Sequence, residues 1–291
     1  MGDRANLPAL GPLGERARPR LTWPLPGRKL FRSVPQNLRG YLDFAWETAR
    51  AAGDLTLGYF RQHLQVARKP DQSPVTVADR EAEALIRRRI EARFPDHAIV
   101  GEEHGATGGA DATHRWIVDP IDGTRAFVRG VPLYAVLLGL EIEGRCRVGV
   151  AHFPALRETV AAASGAGCDW DGHKARVSQV AALGDGIVTH ANAASFARSG
   201  KAEAWRRLQQ AAGFCAGWAD AYGYLLVATG RAEVAIDPVM REWDCAAFVP
   251  ILEEAGGYLG DWSGTPTIYG GEALATTRAL LPEVLDVLRT T

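Results

Sequence analysis

Two aspartates stand at the end of a short apolar run in the segment 116–124, whose sequence is WIVDPIDGT. The apolar residues predict a strand that ends at Asp119, and the turn at Pro120 brings Asp122 round so that both carboxylates face one point. The backbone carbonyl of Ile121 lies between them. Carboxylate and carbonyl oxygens are the ligands that Mg²⁺ prefers in proteins. The segment therefore predicts a magnesium site.

Gly123 and Thr124 follow the second aspartate directly and predict an anion site. Gly123 permits a backbone turn that a side chain would prevent, and if a helix begins here its free N–H groups can bind phosphate. An isolated Asp-Gly-Thr is more often a strand-to-helix turn with the aspartate as a cap. The predicted strand that leads to Asp119 makes the metal and phosphate site the better interpretation here. A metal beside a phosphate-binding loop indicates phosphoryl chemistry.

Three further acidic residues stand where they can join this pair. Glu102 closes the preceding predicted strand, and a neighbouring strand would put it at the same sheet edge as Asp119. Asp244 begins an apolar helix, where a capping role fits equally well. Asp79 is accounted for by a capping box at the start of its own helix. Four or five carboxylates in one cleft repel each other unless cations neutralise them, so we expect two or three Mg²⁺ ions.

The elements that must position these residues are read from the apolar pattern. Helices are predicted at residues 38–63, 76–93, 201–212, 222–229, 244–255 and 279–288. Strands are predicted at residues 98–101, 116–119, 133–142, 147–152, 159–163 and 232–236. Pro250 should kink the helix that begins at Asp244. Strands and helices that do not alternate regularly predict layered α/β sheets rather than a barrel.

Composition and charge exclude several classes of function. The chain has 291 residues, 47% of them hydrophobic, and a net charge of −1, so no global field favours nucleic acid or an acidic membrane surface. No apolar run approaches the roughly 20 residues that span a bilayer. Four widely separated cysteines predict free thiols in a reducing cytosol. Residues 1–35 predict a poorly ordered extension with a weak organelle-targeting alternative, and residues 36–291 a single domain.

Three motifs together resemble the inositol monophosphatase superfamily over residues 40–288. They are Gly-Glu-Glu at 101–103, the WIVDPIDGT segment, and Trp-Asp at 243–244 before an apolar helix that ends in Gly-Gly. The resemblance implies a layered αβαβα sandwich of the sugar-phosphatase type, a magnesium requirement and a homodimer. It implies metal ligation by Glu102, Asp119, the Ile121 carbonyl, Asp122 and Asp244. It also implies catalytic roles for Asp79 and Thr124, which orient the attacking water, and for Glu102, which holds the metal that activates this water.

One branch fits better than inositol monophosphatase itself. Segments 71–79, 94–97 and 122–133 resemble the bacterial histidinol-phosphate phosphatases. The resemblance implies substrate contacts from Gly123, Thr124, Arg125, Asp220 and Asp237. Asp237 stands where both branches usually have glutamate, and an arginine at position 129 replaces what is often a small residue.

These observations predict a cytoplasmic phosphoric monoester hydrolase that converts L-histidinol phosphate to L-histidinol and phosphate in histidine biosynthesis. Two alternatives stay open. A related enzyme acting on inositol monophosphate or a 3′-phosphonucleotide needs the same metals and differs only in the pocket around Arg125, Asp220 and Asp237. A non-catalytic binding module would keep the fold and lose a metal ligand, whereas every expected carboxylate is present in this chain.

Overall fold

The secondary structure is described for residues 36–109, 111–218 and 220–289 of a computed structural model. The extension predicted at residues 1–35 lies outside these ranges. The helices are α1 (Gln36–Tyr59), α2 (Val77–Arg93), α3 (Thr124–Val128), α4 (Ala193–Arg198), α5 (Ala202–Ala211), α6 (Asp220–Ala228), α7 (Glu242–Cys245), α8 (Phe248–Ala255) and α9 (Leu281–Arg289). The strands are β1 (Ala67–Arg68), β2 (Pro74–Val75), β3 (Ala98–Gly101), β4 (Gly105–Thr107), β5 (His114–Asp122), β6 (Ala135–Ile142), β7 (Arg145–Phe153), β8 (Glu158–Ala163), β9 (Cys168–Trp170), β10 (His173–Lys174), β11 (Ile187–Thr189), β12 (Phe214–Ala216), β13 (Val234–Asp237), β14 (Gly257–Gly260) and β15 (Ala273–Thr277).

In the described part of the chain these strands form two large sheets and one small hairpin. The larger sheet has eight strands in the order β10-β9-β8-β7-β6-β5-β3-β4. The second sheet has five, in the order β12-β11-β13-β15-β14, and β1 pairs only with β2. Most pairs are antiparallel, but β3 runs parallel to β5 and β11 runs parallel to both of its neighbours.

Helices form three layers around the two sheets. α1 and α2 cover one face of the eight-stranded sheet, and α6 and α8 lie between the sheets. α5 and α9 pack together on the far face of the five-stranded sheet. The order of layers is αβαβα, which confirms the predicted fold class.

Strands in the centre of the larger sheet are buried on both faces. On β5, Trp116 and Val118 pack under α1 and α2, whereas Ile117 faces the middle helix layer. β6 alternates in the same way. A strand with two apolar faces reads as a continuous apolar run rather than an alternating one, and this is the pattern that predicted β5.

A glycine notch lets the middle layer approach the larger sheet closely. Gly139 of β6 is the pairing partner of Gly149 of β7, and the chain between α7 and α8 lies against them. A Cβ atom on Gly139 would come within 2.7 Å of the Ala246 Cβ, and one on Gly149 would overlap the Ala247 carbonyl oxygen. Two neighbouring positions without side chains therefore determine how near α7 and α8 can come to the sheet.

The helix predicted at residues 244–255 is interrupted. α7 ends at Cys245 and α8 begins at Phe248, although Ala246 and Ala247 between them keep helical dihedral angles. Pro250 has no N–H to donate to the Ala246 carbonyl, which stands four residues before it. The predicted effect of Pro250 is thus present as a break in the hydrogen-bond ladder one turn before the proline.

Other predicted elements are present with shifted ends. α1 ends at Tyr59 rather than residue 63, and β6 begins at Ala135 rather than residue 133. The pattern missed the short strands β1, β2, β4, β9 to β12, β14 and β15, which have two to five residues each and too few positions to show a period. Among the described helices, none combines the length and the apolarity that crossing a bilayer requires.

Candidate active site

A β-bulge at the end of β5 brings Asp119 and Asp122 to the same side of the sheet. Asp119 pairs with Leu137 and Asp122 with Ala135, so β5 has one residue more than β6 over this stretch. In a regular strand, residues three apart point to opposite faces. The extra residue of a bulge turns the second side chain to the same face as the first. Both aspartates therefore face the middle helix layer. Pro120 is tolerated here because a residue in a bulge does not have to donate a backbone hydrogen bond to the neighbouring strand.

Asp244 completes a cluster of three carboxylates on this side of the sheet. One oxygen atom from each of Asp119, Asp122 and Asp244 lies within 4.8 Å of the other two. Asp119 and Asp122 are buried, with 2% and 7% of their surfaces exposed, and Asp244 is partly buried. Asp244 belongs to α7, which the glycine notch allows to contact β5 and β6.

Backbone N–H groups hold each of these carboxylates in place. Asp119 accepts a hydrogen bond from the Ile121 N–H at 3.0 Å, and Asp244 accepts one from the Arg241 N–H at 2.8 Å. Asp122 accepts from the Ala221 N–H at 2.8 Å, in the first turn of α6. The cluster is thus assembled from β5, α6 and α7 before any ligand binds.

The cluster brings three negative charges close together. Burial, reinforced by the charges of Glu102, Asp122 and Asp244, raises the pKa of Asp119 well above its usual value. Burial and the charge of Asp220 do the same for the pKa of Asp122, and burial raises the pKa of Asp244 to about 7. Carboxylates held together in this way are the donor set of a hard cation such as Mg²⁺, and the group includes no histidine or cysteine. The residues therefore fit a magnesium site.

Glu102 leaves the sheet beside Asp119, as the order of strands predicted. β3 runs parallel to β5, with Gly101 opposite Val118, and the Glu102 N–H donates to the Val118 carbonyl at 3.3 Å. Glu102 does not belong to the three-carboxylate cluster, but its charge is close enough to raise the pKa values of Asp119 and Asp244.

Lys69 is a site residue that the sequence did not reveal. Its Nζ atom lies 2.7 Å from Glu102 Oε1 and 2.5 Å from Glu103 Oε1. Burial lowers the pKa of Lys69, but the two hydrogen bonds outweigh it, so the net shift is upward and the ammonium stays charged. Burial raises the pKa of Glu103 to about 7 in spite of this partner. Lys69 lies in the turn between β1 and β2, and nothing in a polar turn predicts a contact more than thirty residues away.

Asp79 has two roles at once. Its Oδ2 atom accepts from the Thr76 N–H at 2.8 Å and the Thr76 hydroxyl at 2.6 Å, which is the predicted capping box. Its Oδ1 atom accepts from the Thr124 hydroxyl at 3.1 Å, which also lies 3.1 Å from the Ile121 carbonyl oxygen. The capping interpretation therefore does not exclude a place in the site, because the two carboxylate oxygens are used separately.

Gly123 precedes a short helix, α3, which begins at Thr124 as the anion-site prediction requires. Gly123 has a φ of +84°, a left-handed conformation in which a side chain is strained. A Cβ atom here would also come within 3.0 Å of the Leu133 carbonyl oxygen and 3.1 Å of Asp220 Oδ2. Both the turn and the approach of Asp220 depend on glycine.

The residues predicted to contact substrate lie in different environments. Arg125 is exposed, and its charge partly offsets the burial that raises the pKa of Asp220. Asp237 is 4% exposed, and its carboxylate already accepts from the Ala191 N–H at 2.8 Å and the Tyr224 hydroxyl at 3.2 Å. Burial raises the pKa of Asp237 to about 8. Asp220 is thus the acidic residue nearer to Gly123, whereas Asp237 is hydrogen-bonded within the protein.

Comparison with known proteins identifies the family of this chain. The family model described as the inositol monophosphatase family matches residues 37–289. A histidinol-phosphatase of Chlorobaculum parvum is 46% identical over 236 residues, which are 81% of this chain and 91% of that protein. A histidinol-phosphatase of Mycobacterium tuberculosis is 39% identical over 77% of this chain and 88% of that protein.

The solved structure of an inositol monophosphatase from Anabaena superposes with a TM-score of 0.77 at 30% identity, and the match covers 87% of this chain and 96% of that one. The family model, the relatives and the solved structure all point to one family. The chain therefore belongs to the inositol monophosphatase family and is a phosphoric monoester hydrolase.

Proposed function

We propose that this protein is a Mg²⁺-dependent histidinol-phosphatase, which hydrolyses L-histidinol phosphate to L-histidinol and inorganic phosphate. The observation that carries the proposal is the Asp220 carboxylate beside the Gly123 turn, in a chain 46% and 39% identical to two proteins named histidinol-phosphatase. The reaction belongs to histidine biosynthesis.

In this proposal Asp119, Asp122, Asp244, Glu102 and the Ile121 carbonyl hold the magnesium. The family is generally metal-dependent, and the clustered carboxylates repel each other unless a cation neutralises them. Bound there, magnesium supplies Lewis-acid polarisation of the phosphoryl oxygens and lowers the pKa of water. The repulsion among the carboxylates supports two or three ions rather than one.

The chain's own residues then orient the attacking water. The Thr124 hydroxyl donates its hydrogen to Asp79 Oδ1 or to the Ile121 carbonyl, both at 3.1 Å. Its oxygen lone pairs are left to accept a hydrogen from a water molecule. Burial and the Thr76 contacts hold the Asp79 carboxylate beside the Thr124 hydroxyl. A water molecule bound to the hydroxyl oxygen would be placed for attack on phosphorus.

Phosphate and ammonium are recognised on neighbouring elements. The first N–H groups of α3 have no intrahelical acceptor and can donate to phosphate oxygens. In L-histidinol phosphate the ammonium is separated from the ester oxygen by only a two-carbon link, so a carboxylate close to the phosphate loop is suited to it. Asp220 has this position, and a charge-assisted hydrogen bond to ammonium is stronger than a neutral one.

Inositol 1-phosphate and a 3′-phosphonucleotide are the competing substrates. Both carry a phosphate monoester and need the same metals, but neither has an ammonium group next to the ester. The partly buried carboxylate of Asp220, whose pKa burial raises in spite of the charge of Arg125, would then meet neutral hydroxyls rather than a cation of the substrate. This difference favours the aminated substrate.

The test is phosphate release by the purified protein with Mg²⁺, over a panel of L-histidinol phosphate, D-inositol 1-phosphate and 3′-phosphoadenosine 5′-phosphate. We expect kcat/KM for L-histidinol phosphate to exceed the others by at least about tenfold, which is about 1.4 kcal/mol of transition-state discrimination. A tenfold preference for another member of the panel refutes the substrate but keeps the phosphatase. Equal activity after removal of Mg²⁺ with EDTA refutes the metal assignment.

A further inference from the structure

Helix α2 carries a buried polar column that leads away from the site. Asp79, Glu83 and Arg87 are spaced four residues apart and therefore share one face of the helix. All three are buried, with 0%, 0% and 7% of their surfaces exposed. Ionised side chains are rarely buried to this degree unless they are paired. Asp79 is explained by its contact with Thr124, whereas Glu83 and Arg87 have no part in the site described so far.

Both carboxylate oxygens of Glu83 accept hydrogen bonds from the turn between β3 and β4. Its Oε2 atom accepts from the Glu103 N–H at 2.7 Å, and its Oε1 atom accepts from the His104 N–H at 3.2 Å. The His104 Nδ1 atom lies 3.4 Å from the same Oε1. These N–H groups belong to the residues that directly follow Glu102, so the Glu83 carboxylate holds the backbone on the C-terminal side of that residue.

Arg87 balances the charge of Glu83 and holds the other half of the same turn. Its Nε atom donates to Glu83 Oε1 at 2.7 Å. Its guanidinium also donates to the Thr107 hydroxyl at 3.0 Å and to the Gly105 carbonyl oxygen. The pair therefore spans the hairpin from position 103 to position 107.

This support matters because β4 is the edge strand of the sheet. It has three residues, all exposed, and among the described strands it pairs with β3 alone. Gly101, the residue before the turn, leaves room for the Glu83 carboxylate, because a Cβ atom at this position would overlap it. Glu102 is thus held by the Val118 carbonyl on one side and by Glu83 on the other.

We propose that Glu83, with Arg87 as its counter-ion, is a positioning residue that sets the direction of the Glu102 side chain and so the affinity for the metal bound through Glu102. The proposal rests on the proposed magnesium-dependent function. Residues that orient a metal ligand commonly change metal affinity by about ten- to a hundredfold when they are replaced. The same helix also holds Asp79, so one rigid element aligns a metal ligand with the residue that directs Thr124.

The test is the Glu83→Gln variant. It keeps the shape of the side chain but replaces one carboxylate oxygen by an NH2 group, which cannot accept a hydrogen bond from the turn. Binding of Mg²⁺ alone to the metal-free protein is measured by isothermal titration calorimetry, and the Mg²⁺ concentration for half-maximal phosphate release is measured separately. We expect both constants to rise by about tenfold or more, with a smaller fall in kcat at saturating Mg²⁺. Glu91→Gln, an exposed position on the same helix, is the matched control and should change neither constant.

A second variant, Glu83→Gln with Arg87→Met, removes the buried arginine charge that the single variant leaves without its partner. We expect it to fold cooperatively and to bind Mg²⁺ as weakly as Glu83→Gln. Wild-type Mg²⁺ affinity in either folded variant overturns the proposal, and so does failure of both variants to fold, because the pair would then serve the fold and not the turn. A wild-type protein that neither binds Mg²⁺ nor releases phosphate instead refutes the proposed function.

Discussion

Replacing Asp244 by asparagine should abolish Mg²⁺-dependent phosphate release and yet stabilise the metal-free protein. Asparagine keeps the side-chain oxygen that accepts from the Arg241 N–H but removes the charge. Burial raises the pKa of Asp244 from its usual 3.8 to about 7, and the charges of Glu102 and Asp220 contribute to the shift. The ionised carboxylate is therefore unfavourable in the folded state.

The magnitude and the sign follow from this shift. A difference of about three pKa units corresponds to about 4 kcal/mol at most, and about half of that remains after solvent screening at a partly exposed group. Because the folded state has the higher pKa, it binds more protons than the unfolded state between pH 3.8 and 7, so stability falls as pH rises through this range. At pH 8 the Asp244 carboxylate is ionised in both states, and its full destabilising effect on the folded state is present. We therefore expect Asp244→Asn to raise the free energy of unfolding by about 2 kcal/mol at this pH.

The assay is urea unfolding of both proteins in EDTA at pH 8 and at pH 4, followed by the same measurement in saturating Mg²⁺. The advantage of Asp244→Asn should shrink at pH 4 and reverse in Mg²⁺, since the wild type alone gains the full binding free energy of the ion. Asp54→Asn, an exposed position on α1, controls for the loss of one negative charge. The reasoning is refuted if Asp244→Asn is less stable than the wild type in EDTA at pH 8. It is also refuted if the variant releases phosphate as fast as the wild type.

Three other predictions concern the substrate, the pH dependence and the glycine notch. Asp220→Asn should raise the KM for L-histidinol phosphate by about tenfold, the loss of one charge-assisted hydrogen bond, and change the KM for inositol 1-phosphate much less; steady-state kinetics on both substrates decide this. Burial lowers the pKa of His152 to about 3, so the unfolded state takes up the proton first and stability should fall from pH 6.5 towards pH 3 by up to about 1.4 kcal/mol per pH unit. Urea unfolding of His152→Asn should show a flatter slope over that range, and an unchanged slope contradicts the assignment. Gly149→Ala should destabilise the fold by about 1–3 kcal/mol through overpacking against the Ala247 carbonyl, and calorimetry should show weaker Mg²⁺ binding because α7 is displaced; a wild-type melting temperature and affinity would show that the notch is not needed.

Much of the fold was predictable because it follows local periodicity. α1 and α2 have apolar residues at helical spacing and contact the sheet with them, and β5 to β8 are long enough to be recognised as strands. The break between α7 and α8 was predictable from Pro250 alone, since a proline lacks its N–H in any context. Most strands of two to five residues were not predicted, because they are stabilised by pairing with distant segments rather than by their own sequence. The four-residue strands β3 and β13 are the exceptions.

The site was predictable in its chemistry and only partly in its geometry. Asp119 and Asp122 converge as expected, but the physical cause is a bulge whose register depends on β6. Asp79 was expected to be a helix cap and is one, and its second oxygen reaches Thr124 only because α2 packs against the β5 end. Lys69 and Glu83 carry no local signal, since each contacts residues twenty or more positions away.

What the sequence alone determined is the type of chemistry, because a set of oxygen ligands and a glycine turn are properties of residue types and short spacings. The segment 116–124 carries the oxygen ligands and the glycine turn that predict a hard-cation and phosphate site. What only the tertiary structure decided is which further residues reach that site. Asp244 joins Asp119 and Asp122 because two paired glycines admit α7 to the sheet. The backbone that follows Glu102 is held by the Glu83–Arg87 ion pair of α2. These contacts depend on how strands and helices pack across long sequence separations, and no local pattern encodes that packing.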